Sequence, residues 1–563
     1  MAELGADALA AAALATTLCN VTGLSFAVGL SFGLSTLTGQ AKGDLLLKGD
    51  FLRSSSRRKE KTDQRTSDQN ELSETGINEE SHPLLDSKTM RKPLYSSSTE
   101  ESTEEGVSHH EEADDDEEEQ HNTSTTTEQQ KEELDQIPIQ PLVFLYRGLF
   151  VQLLCVIPIG LWWIRGIQPL LLALGQGAEL SQMTQVYLRI LTPGLWSYSV
   201  NWTFTAWLQS IDMADVPAYA AFCGFVMHIP FNILFVRILG YGYEGVAMAA
   251  VMFQLLQPVG ICTYLFGTRH GRNRMLENTG AKGIGRTHLS VRREIKTALS
   301  SMAGILQYIK LALPGIVIIT EWWASEVCIF LAGRLEPNPA YALGAMSIYQ
   351  SINTFCFMFP IGFSSAASAR VGLFLGKADA HRAKVASLVS MGGAMVLSTL
   401  MGSILLWTPH DFFPWLFTPD DNVISKTSST IPFLAIYVFA DGMQTTLNGI
   451  LKGCGMQAIA MPIVIISYWC VGVPLAYYNA FIRNGGSTDC HDAKFCGTAG
   501  LVAGMTVGTW THFIFLSIAV LGTINWRDQV VRTEDRMSLE KDRRTRRTLF
   551  SRHGRNDRVK KYM

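Results

Sequence analysis

Leu311-Ala-Leu-Pro314-Gly-Ile-Val-Ile-Ile-Thr320-Glu321-Trp322-Trp323-Ala-Ser325-Glu326-Val327 places two carboxylates inside an apolar run. The run belongs to the stretch 302–333, longer than the ~20 residues that cross the ~30 Å hydrocarbon core of a bilayer. An ionisable group at bilayer depth costs on the order of 3 kcal/mol, so one found there points to function. Five residues turn a helix through about 500°, which puts Glu321 and Glu326 on different faces, ~7.5 Å apart along the axis. Ser325, four residues on, shares the Glu321 face.

Ten more such stretches surround this one. The expected spans are 8–38, 142–165, 184–209, 214–237, 244–266, 302–333, 341–370, 385–408, 428–450, 458–482 and 500–524. Pro230, Pro314, Pro360 and Pro474 lie inside them, which membrane helices tolerate better than soluble ones. Long continuous apolar runs predict an all-α polytopic membrane protein and exclude a β-barrel. The averages hide this. Across 563 residues, 47% are hydrophobic and 17% charged, against the ~25% charged of a soluble chain, yet mean hydropathy is only +0.14. Residues 42–136 account for the dilution, with 26 Asp/Glu against 12 Lys/Arg and hardly an apolar run. The net charge of −3 carries no excess that would point to nucleic acid, and ten cysteines are too few for a disulfide scaffold.

Loop charge sets orientation. Residues 269–296 hold eight Lys/Arg and two Asp/Glu, and residues 527–563 hold thirteen and six. The positive-inside rule puts both in the cytosol, and the even number of spans between them agrees. The acidic insert falls on the same side by the same parity. The loop 483–500 then faces outside or the lumen, where its Cys490 and Cys496 are candidates for a disulfide. Parity also sets residue 1 directly before a span on the outer face, which predicts one further span upstream.

The two halves echo each other. Gly29-Leu-Ser31-Phe-Gly-Leu-Ser35-Thr-Leu-Thr-Gly39 aligns with Gly362-Phe-Ser364-Ser-Ala-Ala-Ser368-Ala-Arg-Val-Gly372 at four Gly or Ser positions. Small residues at such spacing let helices approach closely in lipid. Repeated halves are the plan of secondary transporters, whose substrate sites lie between the repeats.

Polar side chains inside the spans mark the candidate site. Asp441 is followed by Gln444, Thr445 and Asn448 on one helical face, and Gln350, Asn353 and Thr354 repeat that spacing. In the first half, Tyr198, Asn201, Thr205 and Gln209 form a stripe without a carboxylate. Any ion-coupling acid is therefore expected in the second half. Carboxylates taken out of water favour the protonated form and can carry a proton. Helix-to-helix hydrogen bonding is the competing reading of the Asn, Gln and Thr stripes.

These residues resemble the multidrug and toxin extrusion (MATE) family, in its eukaryotic branch. The likeness rests on ALAAAALATTLCNVTG, LSTLTGQAKG, the Glu-Trp-Trp stretch quoted first, FPIGFSSAASARVG and ADGMQTTLNGILKGCGMQ. It covers nearly all of the chain outside residues 42–136 and the last forty or so. The resemblance implies two pseudo-symmetric six-helix lobes around a central cavity. It also implies export of organic cations, xenobiotics or metabolites against protons, with Na⁺ the lesser alternative. By the same resemblance Glu321 is the principal coupling and substrate acid, Glu326 a second acid of some members, and Asp441 the acid of the tenth family helix. Gln350, Asn353, Gln444 and Asn201 complete the candidate set. The chain departs from the family in its long insert and in lacking the first family helix.

The domain reading is 1–41 for the first visible helix, 42–138 for a disordered acidic insert, 139–266 for the rest of the first lobe, 267–300 for a basic inter-lobe loop, 301–525 for the second lobe and 526–563 for a basic tail. In the insert, Glu80-Ser-His-Pro-Leu84-Leu85 resembles an acidic dileucine sorting signal, with a clathrin adaptor as its partner. The expected membranes are the plasma membrane or the vacuolar or lysosomal membrane, with insert and tail cytosolic. His109, His110 and His121 read as part of a solvated charge run. The Asn20-Val-Thr22 and Asn201-Trp-Thr203 sequons lie within spans and read as unused. Gly280-Ala-Lys-Gly283-Ile-Gly285 reads as a flexible loop. No catalytic constellation stands out, so neither an enzyme nor a cofactor is expected, and the transport unit reads as a monomer. The alternatives are a lipid or lipid-linked glycan flippase, or a transport-dead truncated isoform with a regulatory role. The flippase calls for basic residues along the cavity, and within the spans Arg370 is the one noted.

Overall fold

The computed structural model describes residues 6–74, 138–173, 175–286, 288–489 and 495–538. Among these the chain is almost wholly helical, with one isolated bridge between Glu336 and Ser487. The helices that matter here are α1 (Ala6–Cys19), joined by a π-helical turn (Asn20–Leu24) to α2 (Ser25–Glu74). Then come α3 (Gln140–Arg165), α4 (Ala178–Ser210), α5 (Asp215–Asn232) and α6 (Gly242–Cys262). The second half holds α7 (Met302–Ile318), α8 (Thr320–Ala332), α9 (Pro339–Gly376), α10 (Ala380–Trp407) and α11 (Ile431–Cys454). The mixed α/π span α12 (Gln457–Ile482) and α13 (Gly497–Thr523) complete it.

Among the described residues, nine helices are long and apolar enough to cross a membrane, or ten if the bent pair Asp421–Ser428 and Ile431–Cys454 counts as one span. The remaining expected span, 184–209, lies in α4, which is 33 residues long but outside that set. Arg189 and its polar stripe lower its hydropathy.

The chain divides into two compact units, one of residues 1–49 with 138–563 and one of residues 50–137. The insert departs from the sequence expectation of disorder from residue 42, because α2 stays helical through Glu74. This segment is rich in Lys, Arg, Gln and Glu, all strong helix formers, and Lys48 pairs with Asp44 one turn away. The rest of the insert, with Glu80, Leu84, Leu85 and His109–His121, lies outside the described residues. The glycine loop is also more ordered than expected. Gly280 and Gly285 take φ of +83° and +79° and bracket a 3₁₀ turn, and the buried Arg286–Glu294 pair at 3.3 Å fixes the loop beyond it. In the tail, residues 526–538 are helical, with Gln529, Thr533 and Met537 buried.

The repeat seen in the sequence becomes a contact. An offset of 333 residues carries Gly39 to Gly372, Gln40 to Leu373 and Gly43 to Gly376. A Cβ on Gly39 would stand 3.5 Å from Gly372 Cα, and one on Gly372 would stand 3.4 Å from Gly39 Cα. A Cβ on Gly43 would strike the Leu373 carbonyl, and one on Gly376 the Gln40 carbonyl. Equivalent residues thus meet each other reciprocally, which is the signature of a two-fold relation. The helices α2 and α9 cross there with backbones touching, as only small residues permit.

Charged and polar side chains surround the seam. Lys42 Nζ lies 2.6 Å from Asp212, and Arg370 of α9 reaches the same carboxylate at 3.3 Å. Gln40 Nε2 donates to the Gly453 carbonyl at 3.0 Å. Arg536 donates to the Cys454 carbonyl at 2.8 Å and to Gln40 Oε1 at 3.4 Å, across both halves. Burial lowers the pKa of its guanidinium from the ordinary value, but an arginine keeps its charge. Here that charge meets the carbonyl end of α11.

Candidate functional site

Above the seam the helices part around a cavity of about 690 Å³. Three helices of the second half, α8, α9 and α11, supply its chemistry. The long span 302–333 breaks at Ile319, beyond Pro314, so Glu321 sits in the first turn of a fresh helix, α8. Negative charge is favoured at that end of a helix. Asp441 comes from the middle of α11 and is 5% exposed. Both carboxylates line the cavity, as do Glu326, Ser325, Gln350, Asn353, Thr354, Thr445 and Asn448.

Gln444 joins the two principal acids. Its amide nitrogen donates to Asp441 Oδ1 at 2.9 Å and to Glu321 Oε2 at 3.4 Å. Its oxygen accepts from Asn448 at 3.4 Å. It is fully buried and lies behind the cavity wall, so the expected ligand contact is a brace between acids. Asn201 is also absent from the wall. Its amide donates to Gln257 Oε1 at 2.8 Å, tying α4 to α6. Tyr198, Thr205 and Gln209 of the same stripe do line the cavity.

The two faces expected for Glu321 and Glu326 are seen. Glu326 turns to the first half, where it accepts from Thr17 Oγ1 at 3.3 Å and from Asn20 Nδ2 at 3.4 Å. Asn20 starts the π turn and lines the cavity, and Thr22 accepts from Trp163 Nε1 at 2.8 Å. Both polar side chains of that sequon are engaged inside the bundle. Of the sequence's aromatic pair, Trp322 meets the Phe357 ring edge to face at 6.2 Å, and Trp323 donates to Ser25 Oγ at 3.1 Å. Both line the cavity.

Besides Asn20, three groups were missed from sequence. Lys452 lines the cavity with its ammonium 3.6 Å from the centre of the Phe32 ring. This corrects the expectation that Arg370 stands nearly alone among basic residues in the spans, as do Lys310 in α7 and the buried Arg147 in α3. Trp202 stacks on Tyr198 at 5.9 Å and 14° and forms the aromatic wall of the first half. His512 of α13 is fully buried behind Glu321, with Nδ1 3.6 Å from Oε2. Lys452 lies two residues past the expected end of its span. His512 stands among Thr506, Thr509 and Thr511 of a helix that carries no carboxylate.

Elsewhere, Cys496 is disulfide-bonded, while Cys490, its expected partner, lies outside the described residues. The other cysteines in the described residues are free thiols.

Comparison with known proteins follows the same lines. The sequence pattern of the MatE family matches residues 143–234 and 315–478. Protein DETOXIFICATION 37 of Arabidopsis thaliana is 27% identical over 396 residues, covering 70% of this chain and 72% of the relative. Protein DETOXIFICATION 13 of the same plant is 25% identical over 539 residues, 95% of this chain and 86% of the relative. The crystal structure of the eukaryotic MATE transporter AtDTX14 superimposes with a TM-score of 0.67 at 22% identity, over 95% of this chain and 92% of that one. An outward-facing multidrug resistance MATE family transporter of the MOP superfamily follows at 0.62 and 14%, over 95% and 90%.

Proposed function

The chain belongs to the MATE family of multidrug and toxin extrusion transporters, and from that premise we propose that it is a secondary antiporter exporting organic cations in exchange for protons. One observation carries this reading. The cavity holds three carboxylates, Glu321, Glu326 and Asp441, against one ammonium, Lys452. Two of the three share a single amide, Gln444. Aromatic faces at Tyr198, Trp202 and Trp322 suit an organic cation, which gains from ring quadrupoles as well as from carboxylates.

In the proposed cycle, an organic cation binds while the acids are charged. Protons from the outer side then neutralise Glu321 and Asp441. Neutral acids hold a cation only weakly, so it leaves outward. Reorientation of the halves returns the protons to the cytosol, where they dissociate and the site recharges. Loop charge supports a cytosolic insert and tail. On that assignment the α2–α9 seam closes the cytosolic end, so the cavity faces outward.

Lys452 is the observation that favours a second reading, transport of an anionic lipid or lipid-linked glycan. A charge ratio of three to one weighs against it. The test is a reconstituted vesicle given a pH jump, with ethidium as the cation probe. Wild type moves ethidium against the proton gradient, whereas E321Q, expressed and folded, does not. Normal ethidium movement in E321Q overturns the assignment of Glu321. Movement driven by a Na⁺ gradient and indifferent to pH assigns the coupling to sodium instead.

A further inference from the structure

Among the described residues His512 is the one fully buried imidazole, it stands next to the acids, and the cycle above gives it no task. It projects from α13 on the side of Glu321 away from the cavity. Neither ring nitrogen has a hydrogen-bond partner among the described residues. A buried polar group left unpaired is expensive, so the imidazole is held to whatever acceptor lies within reach. That acceptor is Glu321 Oε2, at 3.6 Å from Nδ1. A small rotation of either side chain closes this to a hydrogen bond, and geometry of this kind commonly tightens when a site is occupied.

The surroundings leave few competitors. From α12, Tyr468 meets the imidazole edge to face at 5.5 Å, with its hydroxyl 3.2 Å from Thr509 Oγ1. From α11, Asp441 is joined to Glu321 through Gln444, and the Lys452 ammonium is the cation that acts on the same acid from the cavity side. The phenols Tyr437 of α11 and Tyr349 of α9 belong to the same electrostatic cluster. Glu321 Oε2 therefore lies between the Gln444 amide at 3.4 Å and the His512 imidazole at 3.6 Å. Gln444 connects it to the second acid, and His512 connects it to the protein interior.

We propose that His512 is a positioning residue for Glu321, its Nδ1–H donating to the charged carboxylate from behind and so setting the pH at which that acid takes up its proton. A donor to the carboxylate stabilises the charged form and gives far less to the neutral acid. Removing it makes Glu321 hold its proton to higher pH. The step needs no reagent, because the proton comes from solvent and His512 only biases its binding.

This inference rests on the reading of Glu321 as proton carrier, and the test separates the two. Infrared difference spectra of the full chain in nanodiscs, titrated with pH, show the carboxylic acid band of Glu321, identified by its loss in E321Q. In H512F, which keeps the ring volume without the donor, the midpoint of that band moves up by about one pH unit, a tenfold change in proton affinity. In H512Q, which keeps a donor, it stays near the wild-type value. An unmoved midpoint in H512F overturns the proposal, as does an equal shift in H512Q. If H512F does not fold, H512A removes the same donor. Absence of any E321Q-sensitive band in wild type overturns the proton-carrier reading itself.

Discussion

The two halves of the molecule are alike at the seam and unlike in the cavity. At the seam, Gly39 and Gly43 of α2 and Gly372 and Gly376 of α9 exchange equivalent contacts across one axis. In the cavity, every carboxylate comes from α8 or α11 of the second half, while α4 of the first half presents a phenol, an indole, two hydroxyls and an amide. The repeat has kept its packing and shed its charge symmetry. Packing has to match because both halves share one crossing, and backbone contact admits almost no substitution. Charge need not match, since one buried set of acids can serve a cavity that both halves enclose.

The sharpest way to break this contrast is to remove the charge from the second half. E321Q and D441N should each abolish proton-driven ethidium export while leaving detergent-solubilised protein folded, judged by gel filtration and thermal melting. E326Q should be milder. Its carboxylate is bonded to Thr17 and Asn20 across the halves, so its loss touches the contact between the halves and leaves the Gln444 brace intact. Equal losses in all three would mean that the acids act as one cluster.

Next in size are the glycines, which test the symmetry directly. G43A and G376A force a Cβ into a facing carbonyl, and both should lower the melting temperature by a similar amount. Overpacking of this kind costs about 1–3 kcal/mol. The pair Gly29 and Gly362 should part company. A Cβ on Gly29 would lie 2.6 Å from Ile316 Cα, whereas one on Gly362 meets nothing within 4 Å. G29A should destabilise, and G362A should be neutral or gain up to about 1 kcal/mol from helix propensity. Equal melting shifts for G29A and G362A would contradict the asymmetry at this level.

These contrasts also show what a sequence reveals. Glu321, Glu326 and Asp441 were legible because a carboxylate in an apolar run has few explanations. The Gly and Ser register of the two repeats was legible, but its meaning was not. Only coordinates show that the matched residues touch each other. Side-chain direction was the harder problem. Position 201 is one helical step from 202, about 100° away, and that step separates a brace to Gln257 from a wall of the cavity. Asn20 was hidden by the π turn, which shifts the face of its helix. The helix to Glu74 was missed because dense charge reads as disorder, although the same residues favour a helix once one has started.

The first-half wall gives the smaller effects, and its two polar neighbours should separate cleanly. W202A removes the partner of Tyr198 from the cavity. Aromatic pairs and cation–π contacts are each worth about 0.5–2 kcal/mol, so KM for ethidium should rise about two- to thirtyfold. The pH profile should not move, because no titrating group has changed. N201A should leave KM alone, since its amide faces Gln257 and not the cavity. Losing that hydrogen bond costs about 1 kcal/mol, visible as a lower melting temperature. A raised KM in N201A with unchanged stability would place Asn201 on the transport path and take from α4 the division between wall and brace that the contacts assign to it.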